Sequence, residues 1–331
     1  MYTEEDISSA VEAGIFTKAA AAAFRAYVAK NEGATPVDEE HFRLITGFND
    51  IFVVIACVLF LASVAWIGAT SAQWVGAISV SVMAWILAEF FIRKRRMALP
   101  AIVLTLAFAG SVLACVFLLL KDIGRYSLFI ACAFATVAAW LHWLRFRVPI
   151  TIASGVAVGL ACMVALLIAA IPEIKDWMIT ISLLSGVAVF ALVLRWDATD
   201  TARQTRRSDV AFWLHILAAP LLVHPMFASL GVLHGETAIG QAMAVIALYI
   251  AMAVIALCID RRALMVSALA YVLYAFSTLL KQHGVVSLNL AIAALAIGSA
   301  LLLLSAFWHT SRTHVLRLLP LAVQMRLPPL R

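Results

Sequence analysis

The chain has 331 residues, of which 65% are hydrophobic and 13% charged, with a formal net charge of +6. Soluble domains carry about 45–50% apolar and about 25% charged residues, so that class is excluded, and long apolar runs from Ile51 to Trp308 make this a polytopic membrane protein. The positive balance follows the membrane rather than a nucleic acid, and no basic, short-cored signal peptide opens the chain.

Residues 1–50 read as a cytoplasmic acidic helical segment with a charge of −5, against +11 for the remainder. Thr3 followed by Glu4-Glu5-Asp6 starts a helix, because acids favour the first turn, and Gly14 stops it. Thr17 caps a second helix whose apolar stripe is Phe16, Ala20, Phe24, Tyr27 and Val28, ended by Gly33 and Pro36. Asp38-Glu39-Glu40 opens a short amphipathic helix that leads to the membrane.

Ten spans are predicted between residues 51 and 308, at 51–69, 74–92, 98–120, 127–144, 149–171, 177–195, 210–232, 241–259, 263–280 and 288–308. Each is long enough to cross a hydrocarbon core of about 30 Å at about 1.5 Å per residue. With both termini inside, twenty Lys and Arg lie on the inner side and four (Lys121, Arg125, Lys175, Lys281) outside, as the positive-inside rule requires. Trp66, Trp74 and Trp177 mark outer ends, and Trp143, Trp196 and Trp308 inner ends, as an aromatic belt. Basic inner turns recur near residues 93, 145, 195, 261 and 312, so the expected fold is an all-α bundle of stacked two-helix hairpins. Residues 309–331 read as a basic amphipathic tail on the inner leaflet, whose arginines, like those of the turns, meet anionic lipids.

The five cysteines lie singly in apolar runs and read as small packing residues, with no disulfide or zinc pattern.

Some short stretches carry a resemblance. They are Val-Glu-Ala-Gly-Ile at 11–15, Gly47-Phe48-Asn49-Asp50, Ala88-Glu89-Phe90-Phe91, Arg195-Trp196-Asp197, Arg206-Arg207-Ser208-Asp209 through His224-Pro225, and Leu327-Pro328-Pro329. In these the chain resembles an uncharacterised family of bacterial polytopic inner-membrane proteins with a short cytoplasmic helical N-terminus. The resemblance implies topology and no activity.

Ionisable groups inside a membrane are costly and suggest function by default. The seventh span, Asp209 to Pro225, concentrates them, with His215, Pro220 and His224 in apolar surroundings. Glu89, His142, Asp209 and His215 share the inner third of the bilayer and form one polar pocket if their helices pack together. The bland readings are a Glu89–Arg93 pair at i,i+4, an interfacial His142 and a helix-capping Asp209. His215 and His224 are nine residues apart, so an unbroken helix points them about 180° apart and about 13 Å different in depth. One metal or haem therefore cannot take both. Pro220 is expected to break the helix, and Pro225 to free a carbonyl to which His224 donates. His234, Glu236 and His283 are outer-loop groups with no metal-ligand spacing.

No phosphate-cradling loop, nucleophile elbow or haem-attachment motif is present, so no catalytic residue, metal or cofactor is assigned. Three functions compete. The first is a small-molecule transporter or permease with its site around the broken seventh helix. The second is a non-catalytic scaffold or regulator binding a protein partner through its N-terminal helices. The third is a haem or metal redox protein using His142, His215 or His224.

Overall fold

A computed structural model describes residues 4–31, 48–199, 206–231, 239–282, 289–320 and a few beyond. Every element among them is helical. The chain divides into a small N-terminal unit, residues 1–41 with Arg331, and a large unit, residues 42–330.

The small unit holds α1 (Glu4–Glu12) and α2 (Lys18–Asn31). Gly14, at φ +72°, ends the first helix in a backbone region that a side chain disfavours. Thr17 Oγ1 then accepts the Ala20 N–H at 3.1 Å, the cap expected from sequence. Ile7 and Ala21 are buried, whereas Ile15, Phe16, Phe24 and Tyr27 are exposed. The predicted helix at Asp38–Glu40 lies outside the described residues.

The large unit runs α3 (Phe48–Ala69), α4 (Gln73–Ala88), a π-helical turn (Glu89–Lys94), α5 (Ala98–Leu120), α6 (Ser127–Phe146) and α7 (Pro149–Ala170). A 3₁₀ turn (Pro172–Trp177) leads to α8 (Met178–Asp197), α9 (Arg206–Ser229), α10 (Ile239–Ile259), α11 (Ala263–Gln282), α12 (Asn289–Ala306) and α13 (Trp308–Arg317). Among the described residues eight helices are long and apolar enough to cross a membrane, ending with α10. The expected tenth span corresponds to α12, which meets α13 at a bend of 76°, and the apolar stretch described for α11 is the shorter Ala263–Ser277.

The helix α9 is central. In its apolar window 56% of residues are buried, against 11–33% for the other seven candidate spans. Its buried face divides between two cores. Ala211, Leu214 and Ala218 pack with Ala153, Val189 and Val193 of α7 and α8. Ala219, Val223 and Phe227 pack with Ala242, Val245, Ala268 and Val272 of α10 and α11. A third core joins Cys57 and Leu61 of α3 to Ala84 and Ala88 of α4 and Leu104 of α5. Alanine at so many contacts lets helix backbones approach closely, the route to packing where lipid competes for every larger side chain.

The expected break at Pro220 does not occur: α9 continues through both prolines. Pro225 has no N–H for the Leu221 carbonyl, four residues back. Ser182 Oγ of α8 donates to that carbonyl at 3.4 Å. One turn along α8, a Cβ on Gly186 would lie 2.8 Å from Leu221 C and 2.9 Å from Leu222 N. The proline-loosened turn is thus held by the helix lying against it, with a hydroxyl for the orphaned carbonyl and a glycine for the close approach.

The turns α4–α5, α6–α7 and α10–α11 each contain a non-glycine residue in left-handed conformation, Arg96 (φ 52°), Arg147 (φ 56°) and Asp260 (φ 58°). Such residues reverse the chain tightly, at a cost of about 1–2 kcal/mol each. Together with α8–α9 and α12–α13, these turns form the basic end of the bundle.

Candidate functional site

At the basic end, the last residue of α8 meets the middle of the first half of α9. Asp197 Oδ2 lies 2.8 Å from His215 Nε2, and Asp197 Oδ1 accepts Arg261 Nη2–H at 3.2 Å. The same Nη2 donates to the carbonyl and to Oγ of Ser208 at 3.4 Å each. Side-chain exposure is 2% for His215, 2% for Arg261 and 9% for Asp197, so the ions face one another rather than solvent. The helix-to-turn transition aims Arg261: its N–H bonds Ala256 O, five residues back, and the preceding Asp260 is left-handed. Chemically, the cluster is a carboxylate shared by a permanent cation and a titratable ring. Protonating His215 changes the charge of a buried site on the most buried span.

Two further acid–arginine contacts join turns of the same end. Glu89 takes Arg145 in a fork, Nε to Oε1 at 2.6 Å and Nη2 to Oε2 at 3.1 Å, and Arg93 reaches it at 3.4 Å. Asp260 Oδ1 accepts Trp308 Nε1–H at 2.8 Å and lies 3.7 Å from Arg312 Nε. Arg312, 1% exposed, also donates to the carbonyls of Leu257 and Pro328. Two sequence readings are corrected here. Trp308 is a buried donor rather than a membrane-belt residue, and Arg312 is held inside the protein rather than presented to headgroups.

The single pocket expected from Glu89, His142, Asp209 and His215 is not assembled. Glu89 is engaged with Arg93 and Arg145. His142, fully buried, sits among Trp85, Phe108 and Phe146, its Nδ1 3.4 Å from Thr151 Oγ1 and its Nε2 without a hydrogen-bond partner. Asp209 is in the first turn of α9, and His215 belongs to the Asp197 cluster. His224, exposed, pairs through Nδ1 with the Tyr271 hydroxyl and not with a carbonyl freed by proline. His234, Glu236 and His283 lie outside the described residues. Among the described residues no three His, Cys, Asp or Glu side chains gather as for a metal ion.

Asp197, Ser208 and Arg261 escape a search confined to the span interiors, because all three sit at span ends. The usable signal is an acid within two residues of an arginine at the end of a span, as in Arg195-Trp196-Asp197 and Asp260-Arg261.

Beside the cluster opens a cleft of about 430 Å³ between α6, α7, α8 and α9, lined by Trp143, Ile152, Arg195, Trp196, Thr199, Arg207 and Val210. Trp196 and Arg207 are the chain neighbours of Asp197 and Ser208, so the cluster forms the layer behind the cleft. Compared with models of protein families, with curated proteins and with solved structures, the chain finds no match.

Proposed function

We propose that this chain is a multi-pass transport protein of the bacterial inner membrane, with its working centre at Asp197, His215 and Arg261. The observation that carries the reading is a buried carboxylate–histidine–arginine cluster on the most buried helix, next to a cleft at the basic end. Intramembrane ionisable groups of this kind line substrate and proton paths. The cluster joins α8, α9 and the α10–α11 turn, so a change of charge at His215 bears on three elements at once. The prolines contribute differently from a broken helix: they weaken the far half of α9, where α8 supports it. Ten crossings with both termini cytoplasmic fit the charge asymmetry, counting α11 and α12 with the eight apolar helices.

The test is flux in proteoliposomes, read as pH-dependent current against a panel of small organic anions and cations. Wild-type protein is expected to give current that Asp197→Asn abolishes while eluting as a single species. Absence of wild-type current across the panel, or equal current in Asp197→Asn, overturns the reading.

A second reading, a membrane scaffold, is favoured by the exposed Ile15, Phe16, Phe24 and Tyr27 of the N-terminal unit, an apolar surface suited to a protein partner. Deleting residues 1–46 separates the two: a scaffold loses its partner in pull-down, and a transporter retains flux.

A further inference from the structure

The basic end repeats one device. An acid at one turn holds an arginine of the next: Glu89 takes Arg145, Asp197 takes Arg261, and Asp260 faces Arg312. The sequence separations are 56, 64 and 52 residues. The series has one gap, between the α6–α7 turn and the α8–α9 turn. His-Trp-Leu-Arg-Phe-Arg-Val at 142–148 contains no carboxylate. Arg195, the arginine of the next turn, meets no carboxylate among the described residues, unlike Arg145, Arg261 and Arg312.

The cleft of about 430 Å³ lies in this gap. Arg195 and Arg207 both line it, and Trp143, Trp196, Ile152 and Val210 supply apolar and aromatic walls. Arg147 stacks on Trp143 at 5.7 Å, adding positive charge to that wall. The first turn of α9 contributes the positive end of a 24-residue helix, offset by Asp209 in the same turn. At the other three positions the protein supplies its own anion. Arg195 meets no such acid among the described residues, and a cavity of ligand size opens beside it.

We propose that this cleft binds a phosphate-bearing amphiphile, the phosphate between Arg195 and Arg207 and the apolar body against Trp143, Trp196 and Ile152. The ligand completes the series of contacts and joins the α6–α7 and α8–α9 turns. Arginine suits this role because its planar fork matches phosphate oxygens and stacks on aromatic faces. The source is an anionic phospholipid or a soluble phosphate ester. This binding stands whether or not the chain transports anything.

The test uses the full chain in nanodiscs of phosphatidylcholine, with two arms. One adds phosphatidylglycerol to the disc and counts retained lipid by native mass spectrometry; the other adds monohexyl phosphate, a soluble phosphate ester with an apolar body, to the buffer and follows binding by calorimetry. Saturable binding of one ligand per chain in either arm supports the site, and the arm names the source. Losing one or two charge-assisted contacts at about 1.5–3 kcal/mol each, Arg195→Gln/Arg207→Gln is expected to weaken binding by about tenfold or more. Arg93→Gln/Arg317→Gln, at other turns of the same end, is the charge-matched control and should bind as wild type. Ile152→Trp fills the cleft with both arginines retained, and should also lose the ligand. It decides the matter if the arginine variant fails to fold. No saturable binding in either arm, equal loss in the control, or undiminished binding in Ile152→Trp overturns the proposal.

Discussion

Burying an ion pair is expensive, and removing one partner is worse than removing both, because the survivor stays charged in a low-dielectric site. Arg261, 2% exposed, depends on Asp197 and Ser208. Asp197→Ala should therefore destabilise the protein by about 3–5 kcal/mol, and Asp197→Leu/Arg261→Met by less than the sum of its single changes. Thermal unfolding in detergent of the four proteins of this cycle checks the sign of the coupling. Glu89→Gln should have the smaller effect, since Glu89 and both its arginines are partly exposed and water screens what remains. Trp308→Phe leaves Asp260 without its 2.8 Å donor and should cost about 1–3 kcal/mol in the same assay.

An intact helix with two prolines needs support from outside itself. For α9 that support is α8, through Ser182 and Gly186 at the turn that Pro225 loosens. Ser182→Ala should lower stability by about 1 kcal/mol by orphaning the Leu221 carbonyl. Gly186→Val should be far worse, because its added atoms would meet backbone at 2.8–2.9 Å, which cannot yield as a side chain can. Yield and monodispersity on size exclusion check the order: Gly186→Val collapses both, and Ser182→Ala leaves them near wild type. Pro225→Ala, which restores the missing N–H, should weaken the dependence on Ser182.

Over the whole molecule, α9 is shared between two cores, so its loss of order would release α7–α8 from α10–α11 together. The basic end is stitched by the acid–arginine contacts, and the tail helix α13 is part of that stitching through Trp308 and Arg312. Truncation after residue 306 should therefore destabilise α10 and α11, read as faster amide exchange at that end. Orientation is testable apart from stability, with single cysteines placed in the turns of a Cys-free background. Both termini and the five basic turns should label only from the cytoplasmic side.

The linear pattern determined the helical class, most of the helices long and apolar enough to cross a membrane, and the Thr17 cap, because hydropathy over about 20 residues and local capping act along the chain. It also singled out His215 on the right helix. Tertiary structure alone decided that His215 meets Asp197 and that Asp197 in turn holds Arg261, since these lie 18 and 46 residues from His215, at the end of α8 and in the α10–α11 turn. It likewise decided how α9 stays whole at Pro225, because the group that satisfies the Leu221 carbonyl comes from α8. Helical periodicity states which face a side chain occupies; only packing brings a second face to meet it. For Asp209 to Pro225, that packing turned an expected broken helix into the shared centre of the bundle.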